Sequence, residues 1–259
     1  MSFVELNFYS DTLQMKVDVN VVVPNCEPGK KTKVLWLYHG GYGDHNDWVH
    51  NTNVVRMAEE RGIAVVMPGV HNSCFVNMVN GPAYGTYVGV ELPTVLRSMF
   101  TVFSAERTDN YVCGFSNGGY GCIKIGLTYP ETFGYIGAFA AGDQEDNEFH
   151  NSADGWSGNR IAMFGTGEIK GTEYSLKHCA RELLRSKRTL PVVYHACGEF
   201  DPWHDKNQLV RNFFEGLEGN PFHYHYKEYT GLGHTNVFRE TALNDFLNYH
   251  KIGTDSRLR

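Results

Sequence analysis

The chain has 259 residues, of which 42% are apolar, 14% aromatic and 20% charged, and 23 basic against 29 acidic side chains leave a net charge of -6. That composition excludes disorder, a collagen-like fibre and a coiled coil, and a chain of this length buries on the order of 70–75% of its unfolded surface. The acidic balance argues against a nucleic-acid partner and against docking on a membrane of anionic lipid. No stretch reaches the roughly 20 apolar residues that span a bilayer, and residues 1–6 lack the basic start and apolar block of a signal peptide. The 6 cysteines match no zinc spacing. Cys113, Cys122 and Cys197 lie in apolar segments, so the set reads as reduced thiols of a cytoplasmic protein.

Residues 4–9 and 15–23 alternate with period 2 and predict an antiparallel opening hairpin. Residues 33–39 are almost continuously apolar, the mark of a strand buried on both faces, and a Gly-rich loop follows. The pattern then predicts a helix over 53–61, a buried strand over 62–68 and a helix over 90–103, from the spacing of Leu92, Val95, Leu96 and Phe100. A third buried strand is expected over 110–115, a helix over 116–128 that stops before Pro130, and a strand over 133–140. Residues 142–175, rich in Gly, Asn, Asp and Ser, are too long for an ordinary connector and predict an irregular insertion or cap. A helix over 176–186, a strand over 190–197, a helix over 205–216, a strand over 222–229 and a helix over 237–250 complete the chain. With no repeat and no Pro/Gly/Ser linker, residues 1–259 read as one α/β domain, a mostly parallel central sheet with helices on both faces. Such sheets bind ligands at the carboxyl ends of their strands.

The strongest chemical signal is Gly114-Phe115-Ser116-Asn117-Gly118-Gly119, a Gly-x-Ser-x-Gly pattern between a buried strand and a helix. Glycines are needed there because the serine sits on a strained turn, which lifts its hydroxyl above the sheet and over the positive end of the helix. A serine needs a base to become a nucleophile. Of 12 histidines, His234 stands in Gly231-Leu232-Gly233-His234-Thr235, after the last strand and before the last helix. The chain order Ser, acid, His then puts the acid in Gly198-Glu199-Phe200-Asp201-Pro202-Trp203-His204-Asp205, with Asp201 preferred over Asp205 and Glu199. Tyr38-His39-Gly40-Gly41-Tyr42-Gly43 would supply an oxyanion hole: a backbone N–H of Gly41, or alternatively Tyr42, together with that of Asn117. His39 reads as a structural residue orienting this loop.

Weaker features complete the inventory. Asp44-His45-Asn46-Asp47 reads as a polar helix start, and His223 with His225 as one solvated face of a strand, so neither pair predicts a metal and no cofactor is expected. Trp48, Trp156 and Tyr84 are candidate substrate-binding residues, with Tyr87 and Trp203 falling near the same loops. Self-association into a homo-oligomer is compatible with this reading, with no face marked for it.

Four blocks carry a resemblance to the esterase D-like branch of the α/β-hydrolases, which includes tributyrin esterases and S-formylglutathione hydrolases. They are Leu37-Tyr38-His39-Gly40-Gly41 with Gly43-Asp44-His45-Asn46-Asp47-Trp48, Glu91-Leu92-Pro93, the elbow from Gly114 to Gly121, and Cys197-Gly198-Glu199-Phe200-Asp201 with Gly233-His234. The resemblance spans residues 3–250. It implies an α/β-hydrolase fold, Ser116 as nucleophile, Asp201 as acid and His234 as base, and hydrolysis of a small-molecule short-chain acyl ester. Thioester, acetyl-carbohydrate or feruloyl substrates stay open, as does a non-catalytic binder on the same scaffold. Two departures touch substrate preference: Asn117 stands where the family usually has methionine, and Thr235-Asn236-Val237-Phe238 replaces the aromatic residues expected after the histidine of tributyrin esterases.

Overall fold

The computed structural model describes residues 1–146 and 155–253, with residues 155–158 described by backbone alone. The opening hairpin is present as β1 (Ser2–Ser10) and β2 (Met15–Val23). Its turn is fastened from a distance. Glu91 accepts the Ser10 hydroxyl at 2.6 Å and the backbone N–H groups of Asp11 and Thr12 at 2.7 and 3.3 Å. Burial alone would raise this carboxyl, but the bonds from Ser10, Thr12 and Asp11 outweigh it and hold Glu91 below the usual carboxylate range.

β3 (Val34–Tyr38) follows, then the short helices α1 (Asp47–Asn51) and α2 (Val54–Arg61), and β4 (Ala64–Pro68). The helix expected over 90–103 begins and ends earlier: a single turn α3 (Tyr84–Thr86) runs through a π turn over Tyr87–Glu91 into α4 (Leu92–Met99). β5 (Asn110–Phe115) runs into α5 (Asn117–Thr128), and β6 (Tyr135–Phe139) comes next. The described residues of the expected 142–175 insertion hold a 3-10 turn at Gln144–Asp146 and helix α6 (Gly155–Phe164), and residues 147–154 of it lie outside the described residues. The C-terminal end of α6 is tied down, since its Ala162 and Met163 carbonyls accept the N–H groups of Asn80 and Val79. Helix α7 (Leu176–Ser186), β7 (Val192–Gly198), α8 (His204–Glu215), β8 (His225–Tyr229) and α9 (Asn236–Tyr249) close the chain.

The strand predicted over 222–229 starts only at His225, because residues 220–223 form a turn. Asn220 and His223 both have φ 45°, and the Asn220 side chain accepts the Tyr224 N–H at 2.6 Å. The alternating Phe222 and Tyr224 imitate a strand while being buried from this turn. His223 and His225 therefore do not share a strand face.

The eight strands form one open sheet in the order β1-β2-β4-β3-β5-β6-β7-β8, antiparallel through β1, β2 and β4 and parallel from there on. Every residue of β3, β4 and β5 is buried, as a sheet covered on both faces requires. Val34, Trp36 and Tyr38 face a core closed by α4, α5, α7 and α8, while Leu35 and Leu37 face a second core under α1, α2 and α9. Each large apolar side chain so buried is worth about 1.5–3 kcal/mol. Register sets the function. Tyr38 pairs with Gly114, Phe115 with Phe139 and Gly198 with Tyr229. The carboxyl ends of β3, β5, β7 and β8 thus finish along one edge, and their loops open on the same side. All 6 cysteines are free, and no helix among the described residues is long and apolar enough to cross a membrane.

Replacing Glu91 by glutamine turns an amide donor toward three donors and should destabilise the fold by about 1–3 kcal/mol. Because the folded-state carboxyl is depressed, its contribution is complete above the unfolded carboxylate range and fades as pH falls through the folded value. Urea denaturation of both proteins at neutral and acid pH should show the difference at neutral pH and its loss in acid.

Candidate active site

Ser116 links β5 to α5 with φ 58° and ψ −120°. A non-glycine residue at positive φ is strained by about 1–3 kcal/mol and persists only where its surroundings enforce it. Here its N–H donates to the Phe139 carbonyl at 2.8 Å and its carbonyl accepts the Tyr120 N–H at 3.0 Å. Close backbone packing does the rest. A Cβ on Gly114 would lie 2.2 Å from the Gly118 carbonyl oxygen, and one on Gly118 would lie 2.4 Å from that of His39 and 2.5 Å from that of Tyr38. Serine is a favoured N-cap residue, yet the Ser116 side chain makes no capping bond to α5. Its hydroxyl is released from structural duty at the positive end of a helix.

The loop after β3 lies directly against this serine. A Cβ on Gly40 would sit 3.5 Å from the Ser116 Cβ. His39, 1% exposed, holds the loop from within: one ring nitrogen, Nδ1, is 2.7 Å from the Gly40 carbonyl, and Nε2 takes the Val70 N–H at 3.2 Å. Those partners require a neutral ring protonated on Nδ1, and burial lowers the His39 pKa in the same sense. The Tyr42 N–H is engaged by Asn72 Oδ1 at 2.7 Å, which leaves Gly41 the better placed donor of the two considered. Asn117, half-buried, opens α5 with its N–H at the helix start.

The loops after β7 and β8 pack backbone to backbone. A Cβ on Gly198 would be 2.5 Å from the Leu232 carbonyl oxygen, and the Phe200 N–H donates to that same carbonyl at 2.9 Å. Of the three candidate acids, the structure brings Asp201 to His234. Asp201 Oδ2 lies 2.7 Å from His234 Nδ1, and its Oδ1 accepts the Trp203 N–H at 2.9 Å. The Asp201 side chain is fully buried against a half-buried imidazole. Glu199 instead accepts the Gly231 N–H at 2.9 Å, and Asp205 points outward beside Lys206. The His234 ring lies on Phe115, the residue before the serine, with centroids 4.4 Å apart, and Trp203 meets it edge-on at 4.9 Å. A hydroxyl, an imidazole held by a buried carboxylate and a helix N-terminus are the parts needed for nucleophilic attack on an acyl carbon.

The three aromatic candidates fare differently. Trp48 is 1% exposed with its indole N–H donating to the Tyr38 carbonyl at 2.9 Å, so it props the loop-bearing end of β3 from the core. Tyr84 is 5% exposed, part of the core, with its ring edge toward His71. The side chain of Trp156 lies outside the described residues. Arg239 carries no flag in the sequence. This fully buried guanidinium on α9 binds Asp47 at 2.7 Å and lies over the rings of Trp48 and Phe115 at 5.0 and 5.6 Å, bracing the floor under His234. One acidic trio among the described residues, Asp143, Glu145 and Asp146, could in principle hold a cation. The Lys177 ammonium already sits on it, 3.0 Å from Glu145 and 2.6 Å from Asp146. Asp143, pushed up to about 6 by burial, accepts the N–H groups opening α7. The trio is a clasp between the loop after β6 and that helix.

Residues 10–248 match the family model of the putative esterases. The acetyl esterase of Caldicellulosiruptor saccharolyticus is 27% identical over 238 residues, covering 84% of this chain and 88% of that protein. The S-formylglutathione hydrolase of Paracoccus denitrificans is 26% identical over 252 residues, covering 88% and 84%. The fluorophosphonate-binding serine hydrolase F of Staphylococcus aureus has a similar structure, with a TM-score of 0.88 at 24% identity over 96% of this chain and 98% of that one. The fold is that of the α/β-hydrolases.

Gly118→Ala should force the elbow away from the loop after β3, since its methyl falls inside two carbonyl oxygens. A loss of about 1–3 kcal/mol in chemical denaturation is expected, together with slower labelling of Ser116 by an organophosphonate.

Proposed function

The chain belongs to the putative esterase family, and we propose that it is a serine carboxylesterase acting on short-chain acyl esters through Ser116, His234 and Asp201. The observation that carries this reading is the 2.7 Å contact of the buried Asp201 carboxylate with His234 Nδ1, on an imidazole lying over the residue before a strained, non-capping serine. Asp201 holds the tautomer that leaves Nε2 free to act as base and stabilises the imidazolium once it forms. Ser116 Oγ attacks the ester carbonyl as His234 takes its proton. The N–H groups of Asn117 and Gly41 receive the oxyanion; one such donor is typically worth about 3–4 kcal/mol of barrier. His234 then protonates the departing alcohol, and an acyl-enzyme remains. Water, deprotonated by His234, releases the acid and restores the serine.

Support for ester chemistry comes from relatives named acetyl esterase and S-formylglutathione hydrolase. The second of these keeps one rival alive, hydrolysis of a thioester by the same groups. A thioesterase would show kcat/KM for S-formylglutathione far above that for nitrophenyl acetate or butyrate, and a carboxylesterase the reverse. The free cysteines support the cytoplasmic reading.

Ser116→Ala should lower hydrolysis of nitrophenyl acetate and butyrate by at least about 10⁴-fold. Asp201→Asn should lower kcat by about 10⁴-fold, through the wrong imidazole tautomer. Steady-state kinetics on the purified variants check both, and turnover retained by Ser116→Ala would remove the assignment.

A further inference from the structure

Helix α5, which carries the serine at its start, also carries a charge in its apolar interior. Lys124 is surrounded by buried residues on both sides in the chain, and only 9% of its side chain is exposed. A buried ammonium is ordinarily met by a carboxylate. The nearest carboxylate oxygen, from a Glu173 side chain that is 67% exposed, is 3.8 Å away. Closer, at 3.6 Å, is the Sγ of Cys179 in the first turns of α7. That sulfur in turn donates to the Glu173 carbonyl at 3.0 Å. Burial pushes the Cys179 thiol up, and Lys124 beside it pulls it part of the way back. Unlike Cys74, Cys113, Cys122 and Cys197, Cys179 is not fully buried.

We propose that Lys124 and Cys179 form a peroxide-sensitive modification site, in which oxidised Cys179 is captured by the Lys124 amine as a sulfenamide cross-link between α5 and α7. The Cys179 thiolate attacks a peroxide oxygen: an S–O bond forms, the O–O bond breaks, and the departing hydroxide takes a proton from the Lys124 ammonium to leave as water, which bares the amine lone pair. The sulfenic acid so formed condenses with nitrogen. The Lys124 lone pair attacks sulfur, an N–S bond forms, the S–O bond breaks, and the leaving hydroxide takes an amine proton as a second water. In sum, one thiol, one amine and one hydrogen peroxide give one sulfenamide and two waters. Sulfur loses two electrons and the peroxide gains them. Excess thiol reverses the bond. The contact with nitrogen thereby spares Cys179 the irreversible steps to sulfinic and sulfonic acid.

The test is to treat the full chain with hydrogen peroxide, alkylate the remaining thiols, digest with trypsin and weigh the peptides. The expected product joins the Cys179 peptide to one left uncut after Lys124, lighter by two hydrogens than the pair and released by dithiothreitol. Cys26, whose Sγ meets the Pro24 carbonyl at 3.6 Å, serves as the comparison and should climb to sulfinic and sulfonic acid. Lys124→Arg keeps the cation but removes the nucleophile, so it should abolish the cross-link and let Cys179 climb as well. Cys179→Ser should also abolish it, and organophosphonate labelling of Ser116 reports that each variant is folded. The proposal is overturned if wild-type Cys179 stays reduced, if it reaches sulfinic acid with no cross-link, or if the bridge carries an additional oxygen. The wild-type masses decide the matter even where a variant fails to fold.

Discussion

The backbone at Gly118 rests on the carbonyl oxygens of Tyr38 and His39, at a separation that leaves no room for a single added carbon. This contact joins the first turn of the elbow helix to the end of the neighbouring strand. Ser116 must then reach the helix through an unfavourable dihedral, and the loop carrying Gly41 must start beside the serine. The strain is stored locally and balanced by ladder bonds from β6 and α5. What the strain yields is a hydroxyl with no capping role, set at the start of a helix.

A second constraint builds the other half of the site. The loops after β7 and β8 are pressed together at Gly198 and Leu232 and bonded through Phe200, so Asp201 and His234 meet although 33 positions separate them. Phe115 then serves two elements at once, ending the elbow strand and flooring the imidazole. Arg239 holds that floor from below and ties it to α1 through Asp47. A buried ion pair of this kind adds little net stability but strongly penalises any arrangement that separates its members. Its value here is positional.

Around this frame the same scaffold serves relatives named for different substrates, an acetyl esterase and an S-formylglutathione hydrolase. In α/β folds of this kind binding residues concentrate on loops at the carboxyl edge of the sheet, which vary more freely than the core that carries them.

Much of this was legible in one dimension. Strands buried on both faces announce themselves as unbroken apolar runs, as in β3, β4 and β5, because every side chain there needs an apolar neighbour. The elbow, its glycines and His234 are visible because tight turns admit few residue types. Local pattern misled where a turn placed Phe222 and Tyr224 inward with strand-like spacing, and where the helix before β5 begins at Tyr84 and carries a π turn within it. Trp48 looked like a pocket wall because a tryptophan beside a loop has two places to go, and chain position does not say which. The sequence preferred Asp201 over its neighbours Asp205 and Glu199, and the packing of two distant loops brings that carboxylate to the imidazole. The sequence by itself determined the fold class and the chemical types at the strand ends, since burial and turn geometry act on neighbours along the chain. Pairings such as Arg239 with Asp47 and Lys124 with Cys179, and the distance that joins the expected pair Asp201 and His234, were decided by tertiary structure alone, because a distance between remote side chains exists only once the sheet register has set it.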